Sequence, residues 1–124
     1  MVLIDTHVAI FLYNRQMKKF TPKVRILMDI NDIVLPEMAR LELQYLYEIG
    51  RISATPVEII NFLYSEVDLI LSKTPKSRLV DEAVKLTWTR DPFDRLICAD
   101  SKVNNAPLIS KDEKMLEHLD LAVW

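Results

Sequence analysis

Residues 1–7 read MVLIDTH, an apolar run that stops at an acid, and the same pattern returns in residues 107–112, which read PLISKD. Runs this short and this apolar are typical of strands buried on both faces of a parallel sheet. Parallel sheets bind their ligands beyond the carboxyl ends of the strands. The acids that follow the two runs, Asp5 and Asp112, are therefore expected at one ligand-binding edge, although each alone could be no more than the cap of the next helix.

Prolines and capping residues divide the rest of the chain into alternating helices and strands. Strands are predicted at 2–4, 33–35, 108–109 and 121–124, with 67–71 a strand or a buried loop, and helices at 7–14, from Thr21, at 36–49, from Thr55, at about 77–89, at 91–104 and from Asp112 or Glu113. The alternation predicts an α/β fold of three layers (α/β/α) around a mostly parallel sheet. Residues 1–124 are long enough for one such domain and too short for two.

Composition excludes several classes of protein. Half of the residues are hydrophobic and the formal net charge is −2, which is unlike a basic domain that coats nucleic acid. A single cysteine, Cys98, rules out an internal disulfide, and two histidines are too few for a zinc site. Gly50 is the only glycine, which excludes the glycine-rich phosphate loops of P-loop and dinucleotide-binding proteins.

Nothing in the sequence directs export or membrane insertion. The start has neither a basic segment nor a signal-like apolar core, and no apolar run reaches membrane-spanning length. A lone thiol suits a reducing compartment. These features predict a cytoplasmic protein with no membrane partner.

Glu42 interrupts the apolar face predicted for the helix over 36–49. That face consists of residues at three- and four-residue spacing, namely Met38, Leu41, Tyr45, Leu46 and Ile49. Burying an unpaired carboxylate costs several kcal/mol, so Glu42 requires a cationic partner, a metal ion or a solvent-filled cleft. A salt bridge to a nearby arginine or lysine would satisfy it as well as a metal would.

Asp94 stands at the third position of the helix that Asp91 is expected to cap. An acid there interacts well with the positive end of the helix, so capping alone could explain it. Its helical neighbours Ile97 and Cys98 are apolar, however, which turns its side chain away from open solvent.

The four acids Asp5, Glu42, Asp94 and Asp112 have no matching histidine or cysteine ligands. Such an oxygen-only set favours Mg²⁺ or Mn²⁺ over zinc or copper. A hydrated divalent ion can activate water and neutralise charge on a phosphate, so the pattern indicates phosphodiester chemistry.

Four segments together resemble the PIN-domain nucleases, and among them the VapC-type toxins of bacterial and archaeal toxin–antitoxin pairs. They are LIDTH at 3–7, RLEL at 40–43 followed by Gly50, RDPFDRLI at 90–97 and LISKD at 108–112. The resemblance covers essentially the whole chain, and the DPFDR stretch is its sharpest part. Glu42 departs from the aromatic–Glu context of many relatives, although the step from it to Gly50 fits.

The resemblance implies a five-stranded parallel sheet between helices, an acidic Mg²⁺ or Mn²⁺ site, cleavage of RNA, a homodimer and neutralisation by a cognate antitoxin protein. Carried over by position, the family's acids fall on the four residues already selected from the sequence pattern, Asp5, Glu42, Asp94 and Asp112, and its hydroxyl falls on Ser110. The resemblance therefore predicts one catalytic, metal-binding set of four carboxylates.

Other residues are expected around these acids. Thr6, Ser110, Arg90 and Arg95 are predicted to support the acids or to contact substrate or antitoxin. The acid-free stretch Arg15, Lys18, Lys19, Lys23 and Arg25 is either a basic rim for RNA or a solvated helix face. His7 is expected to pack or hydrogen-bond locally and Asp100 to be structural or at the surface. Leu43 and Tyr47 form a second apolar strip, for which ordinary core packing is favoured over a partner interface.

The sequence therefore predicts a metal-dependent endoribonuclease that inhibits growth as the toxin of a toxin–antitoxin pair. One alternative is a PIN-fold protein that processes or binds RNA outside such a pair. Another is a phosphoacceptor signalling module, which also carries acids at a strand edge. That module is disfavoured because Thr6, not a second acid, follows Asp5, and because the strand over 33–35 ends at Pro36.

Overall fold

The computed structural model describes residues 1–124, and its centre is a five-stranded sheet in which every neighbouring pair is parallel. The strands are β1 (Val2–Ile4), β2 (Ile33–Leu35), β3 (Ile70–Leu71), β4 (Leu108–Ile109) and β5 (Ala122–Val123). Their order across the sheet is β3-β2-β1-β4-β5, so the first strand occupies the middle position.

Seven helices connect the strands. They are α1 (Thr6–Tyr13), α2 (Pro22–Ile30), α3 (Glu37–Glu48), α4 (Pro56–Val67), α5 (Lys76–Ala83), α6 (Pro92–Asn104) and α7 (Glu113–His118). Side chains predicted as caps accept from the first turns of α2, α4, α6 and α7, where they satisfy N–H groups that have no partner in the helix: Thr21, Thr55, Asp91 and Asp112. No helix has both the length and the apolar character needed to cross a bilayer.

All three residues of β1 are fully buried. Successive side chains of a strand point to opposite faces of the sheet, so this burial requires helices on both faces. The core around β1 is one cluster of 28 buried hydrophobic residues. The predicted α/β architecture and five-stranded parallel sheet are confirmed.

Two elements predicted after β2 are present but shorter than predicted. Residues 67–71, predicted as a strand or a buried loop, contain the two-residue strand β3. The helix predicted over 77–89 ends at Ala83, because the chain tightens into three-residue turns in which Leu86 N donates to Ala83 O at 3.1 Å. Leu86 and Thr89 are buried in the segment that follows. A short 3-10 turn at Met17–Lys19 was not predicted.

The buried face of α3 is also different from the predicted one. Leu41, Tyr45 and Ile49 were assigned to the core, but each is about half exposed, and the fully buried residues are Ala39 and Leu43. The helix carries two overlapping apolar strips, and its contacts with α1, α4 and α6 select the strip that contains the small Ala39. Leu43 therefore packs in the core, which was the favoured alternative, and not in a partner interface.

Gly50 ends α3 in the left-handed conformation, with φ +75°. Its N–H donates to Tyr47 O at 3.1 Å and the N–H of Arg51 donates to Leu46 O at 2.9 Å, the pair of bonds that defines a Schellman C-cap.

Gly50→Ala is expected to lower the free energy of unfolding by about 1 kcal/mol. The loss comes from backbone strain alone, because no atom lies within 4 Å of the added methyl group. Gly50→Asn is the matched control, since asparagine tolerates positive φ and should cost less. Urea unfolding of both variants tests this, and equal losses would contradict the explanation from backbone strain.

Candidate functional site

The centre of the candidate site is Asp5, at the carboxyl end of the central strand. Its neighbour at the end of the adjacent strand β4 is Ser110. Ile4 pairs with Ile109, and Asp5 and Ser110 each follow their strand by one residue. Ser110 Oγ donates to Asp5 Oδ2 at 2.7 Å, and the backbone N–H of Thr6 donates to Asp5 Oδ1 at 2.7 Å. Asp5 is only 5% exposed, so both carboxylate oxygens are held by buried donors.

Glu42 reaches the same place from α3. The hydroxyl of Thr6 donates to Glu42 Oε1, so Thr6 holds Asp5 with its backbone and Glu42 with its side chain. None of the ion pairs in the structure includes Glu42. The salt bridge that could have explained this interior acid is therefore absent, and Glu42 lies half-buried without a cationic partner.

Asp112 belongs to the group through Ser110. The backbone N–H of Asp112 donates to Ser110 Oγ at 3.0 Å, while Asp112 Oδ1 accepts from Met115 N at 2.9 Å and caps α7. One serine hydroxyl thus connects the loop of Asp112 with the carboxylate of Asp5. Asp112 has the capping role considered for it and also lies beside the other acids.

Asp94 completes the set from the first turn of α6. Asp91 is the cap of that helix, as predicted, and accepts from Phe93 N at 2.8 Å and from Asp94 N at 3.3 Å. The side chain of Asp94 makes no hydrogen bond of its own and is half-buried. Desolvation raises the pKa of Asp94 to about 7, and the neighbouring charges of Asp91, Asp5, Asp112 and Glu42 add to the effect.

The other acids respond to the same crowding. Burial raises the pKa of Asp5, and the bonds from Ser110 and Thr6 offset only part of that rise. Burial likewise raises the pKa of Glu42, against the bond from the Thr6 hydroxyl, and the charge of Asp5 raises it further. These shifts mean that the interior holds several like charges that water and hydrogen bonds do not fully balance.

Cys98 lies one helical turn beyond Asp94 and is fully buried. Burial raises the pKa of its thiol, and the charges of Asp5, Asp94 and Asp112 raise it further. The thiol therefore stays protonated beneath the acids and is unsuited to act as a nucleophile.

The chemistry of this donor set fits a hard divalent cation. Every candidate ligand is a carboxylate oxygen, and the Asp94 carboxylate has no hydrogen-bonding partner. The side chains converge without closing on one point, since no three acidic, histidine or cysteine side chains are arranged to hold an ion. Asp5, Glu42 and Asp112 are instead engaged with the donors of Thr6, Ser110 and Met115.

The flanking residues separate into two groups. Thr6 and Ser110 touch the acids, as described above. Arg90 and Arg95 do not: their guanidinium groups donate to Thr87 O at 2.7 Å and Thr89 O at 2.8 Å, so they brace the turn before α6.

Two further residues lie apart from the acids in their contacts. His7 is exposed on the first turn of α1, and no hydrogen bond of its side chain is present. Asp100 is buried in a separate network, where Thr74 Oγ1 donates to it at 2.7 Å and Asn104 Nδ2 at 2.8 Å. Of the two predicted alternatives for Asp100, a structural role or a surface position, the network agrees with the structural role.

Sequence reasoning missed two contributions to the site. Asp91 was assigned only a capping role, yet its charge also raises the pKa values of Asp94 and Glu42. Thr6 was placed beside the site without the bridge it makes between Asp5 and Glu42. Only the adjacency of Thr6 to Asp5 could have indicated that bridge, because the contact depends on how α1 packs against α3.

Three solved structures share this fold at low sequence identity. VapBC2 from Rickettsia felis, bound to a DNA fragment of its promoter, superimposes with a TM-score of 0.67 at 16% identity, covering 99% of this chain and 96% of that one. A toxin–antitoxin complex from Klebsiella pneumoniae gives 0.65 at 12% identity, covering 100% and 97%. DNA-bound VapBC from Salmonella typhimurium gives 0.62 at 12% identity, covering 98% and 96%.

Comparison with curated protein sequences finds no match. The sequence model of the PIN domain matches residues 2–120, which include all four acids and every strand except β5. The family predicted from the four sequence segments is confirmed by this match. The chain belongs to the PIN-domain family.

Proposed function

We propose that this protein is a metal-dependent endoribonuclease and the toxin of a toxin–antitoxin pair. The observation that carries the proposal is the meeting of Asp5, Glu42, Asp94 and Asp112 at the carboxyl edge of the sheet with no arginine or lysine paired to them. Membership of the PIN-domain family and likeness to complexes of toxins with antitoxins support it.

The four acids are proposed to hold Mg²⁺ or Mn²⁺. When bound, such an ion activates water and neutralises charge on the scissile phosphate. Ser110 and Thr6 orient the carboxylates of Asp5 and Glu42 through hydrogen bonds. The Asp94 carboxyl is free of hydrogen bonds, and its pKa of about 7 would let it take up a proton near neutral pH.

The proposed partners are an RNA substrate, a cognate antitoxin protein and a second copy of this chain. The similar structure from Klebsiella pneumoniae is a toxin–antitoxin complex, which supports the antitoxin as a partner. A neighbouring gene for a small DNA-binding protein would support the pairing with an antitoxin.

Incubation of the purified protein with cellular RNA tests the activity. Cleavage is expected with Mn²⁺ or Mg²⁺ and is expected to stop when EDTA removes the ion. Duplex DNA of similar length serves as the matched substrate control. Binding of RNA without any cleavage in either ion would contradict the nuclease and favour an RNA-binding role, and sequencing of RNA ends after induction in cells would identify the target.

Ser110→Ala is expected to lower cleavage by roughly 10- to 100-fold. The change removes the donor that lowers the pKa of Asp5, so that pKa rises further and the acid limb of the pH–rate profile moves to higher pH. Ser101→Ala is the matched control, because Ser101 is also buried and donates to Ala106 O at 2.6 Å on the far part of α6. Both variants should lose about 1 kcal/mol of stability, and equal effects on activity would contradict the role of Ser110.

A further inference from the structure

The residues that directly follow β1, β4 and β5 lie side by side at the carboxyl edge of the sheet. Asp5 follows β1, Ser110 follows β4 and Trp124 follows β5, in one register, because Ile4 pairs with Ile109 and Ile109 pairs with Val123. The N–H of Ser110 donates to Val123 O at 3.1 Å, which holds the two strand ends together. Trp124 therefore stands one strand away from Ser110, at the edge where the acids meet.

Trp124 is the centre of an aromatic cluster. Its ring centroid lies 6.3 Å from that of Phe11 and 5.6 Å from that of Phe20, at interplanar angles of 65° and 53°. Neither phenyl ring lies flat on the indole, so its faces have no parallel-stacked partner. Trp124 and Phe11 are both partly exposed, whereas Phe20 is buried beneath them.

Two lysines are seated on these rings. Lys111 Nζ lies 5.9 Å from the centroid of Trp124, and Lys19 Nζ lies 4.5 Å from that of Phe11. Both lysines are exposed, and neither takes part in an ion pair. The aromatic rings hold the ammonium groups in place without neutralising them. We call Lys111, Trp124, Phe11 and Lys19 the lysine–aromatic row.

An acidic centre needs such a feature if it is to act on RNA. The chain carries a net charge of −2, and the four acids concentrate negative charge where a phosphate would have to approach. Proteins that hold single strands combine cations for the phosphates with aromatic faces for unpaired bases. The lysine–aromatic row supplies both and begins at the residue next to Ser110.

Resting on the proposed ribonuclease function, we propose that the lysine–aromatic row binds single-stranded RNA on one side of the scissile phosphate. Lys111 and Lys19 contact successive stretches of the phosphate backbone, and an unpaired base stacks on Trp124. The row selects single strands over duplexes, because the base faces of a duplex are already stacked and cannot reach the indole.

Intrinsic fluorescence can report this contact, because the chain has two tryptophans and Trp88→Phe leaves only Trp124. Phenylalanine preserves a ring against His118, on which Trp88 stacks at 5.2 Å. Asp94→Asn is added so that the RNA stays intact during titration. Single-stranded oligouridylate of ten nucleotides should quench Trp124 fluorescence. An RNA duplex of ten base pairs should bind at least about 10-fold more weakly.

Three changes on this background test the row. Lys19→Gln with Lys111→Gln should weaken binding by roughly 10- to 30-fold at 0.1 M salt and lower the slope of log K against log salt by about 1.4. Trp124→Leu, followed with a fluorescein label on the RNA, should weaken binding by about 5- to 100-fold with the salt slope unchanged. Lys102→Gln, an exposed lysine near the other end of α6, is the matched control and should change neither quantity.

Steady-state kinetics distinguish this proposal from the proposed function. They use Lys19→Gln with Lys111→Gln in the protein that keeps all four acids. KM for a single-stranded RNA should rise about 10-fold or more, with kcat changed less than about 3-fold. Efficient cleavage by wild-type protein, with KM and the salt slope unaltered in the double lysine variant, would overturn the row alone. Failure of wild-type protein to cleave RNA in either ion would overturn the proposed function and this proposal with it.

Discussion

Asp5→Asn is expected to reduce kcat/KM for RNA cleavage by a factor on the order of 10³ or more. Asp5 is connected with Glu42 through Thr6 and with the loop of Asp112 through Ser110. Asparagine keeps one oxygen to accept from Thr6 N and so preserves the start of α1. It replaces the second oxygen with a donor that meets the hydroxyl hydrogen of Ser110 and offers no charge to a cation.

Two controls accompany Asp5→Asn: the same substitution at an acid outside the site, and a test that each variant is folded. Asp81→Asn makes the same chemical change on the exposed side of α5 and should leave activity within about 2-fold. Circular dichroism and the thermal midpoint should show that both variants fold. If the proposal is correct, expression of the wild-type chain should inhibit growth and Asp5→Asn should relieve it. Cleavage by Asp5→Asn at the wild-type rate would refute the assignment of the site.

Asp94→Asn is expected to stabilise the metal-free protein, raising its free energy of unfolding by about 1–2 kcal/mol at pH 8. The folded pKa of Asp94 is about 7, against 3.8 without the protein environment. A raised carboxyl pKa stabilises the fold fully below about pH 4 and loses that contribution as pH rises through about 7. Solvent reaches this half-buried group and screens the repulsion, which keeps the gain to this size.

Thermal unfolding in EDTA at pH 5 and pH 8 measures this effect. The midpoint of Asp94→Asn should exceed that of wild type by roughly 3–10 °C at pH 8 and by much less at pH 5. Asp81→Asn again serves as the control, since an exposed acid on α5, outside the site, should change stability little. Addition of Mn²⁺ should then stabilise wild type and have little effect on Asp94→Asn. A destabilised Asp94→Asn at pH 8 would mean that the acid serves only the helix end.

The sequence was sufficient to predict the sheet and the gathering of the acids. The apolar runs before Asp5 and Asp112 define β1 and β4, and strands in parallel register bring the residues that follow them to one edge. The residue pattern also singled out Glu42 and Asp94, although pairing or capping could explain each of them separately, and the family motifs fall on the same two residues. The metal-binding role of the four acids stays a prediction.

Packing between helices could not be predicted in the same way. The two apolar strips of α3 have similar spacing, and only contact with other helices decides that Leu43 is buried while Leu41 is exposed. The bridge from Thr6 to Glu42 follows from that same choice. The contact of Phe11 with Trp124 joins residues from opposite ends of the chain, and no local pattern records such a distance.

The two outermost strands, β3 and β5, contain only two residues each. Edge strands this short offer few unpaired N–H and C=O groups to a strand from another molecule, so edge-to-edge aggregation is disfavoured. A second copy of the chain, or the proposed antitoxin, is then expected to contact helical surfaces. The half-exposed Leu41, Tyr45 and Ile49 of α3, absent from the core despite their periodicity, offer one such surface.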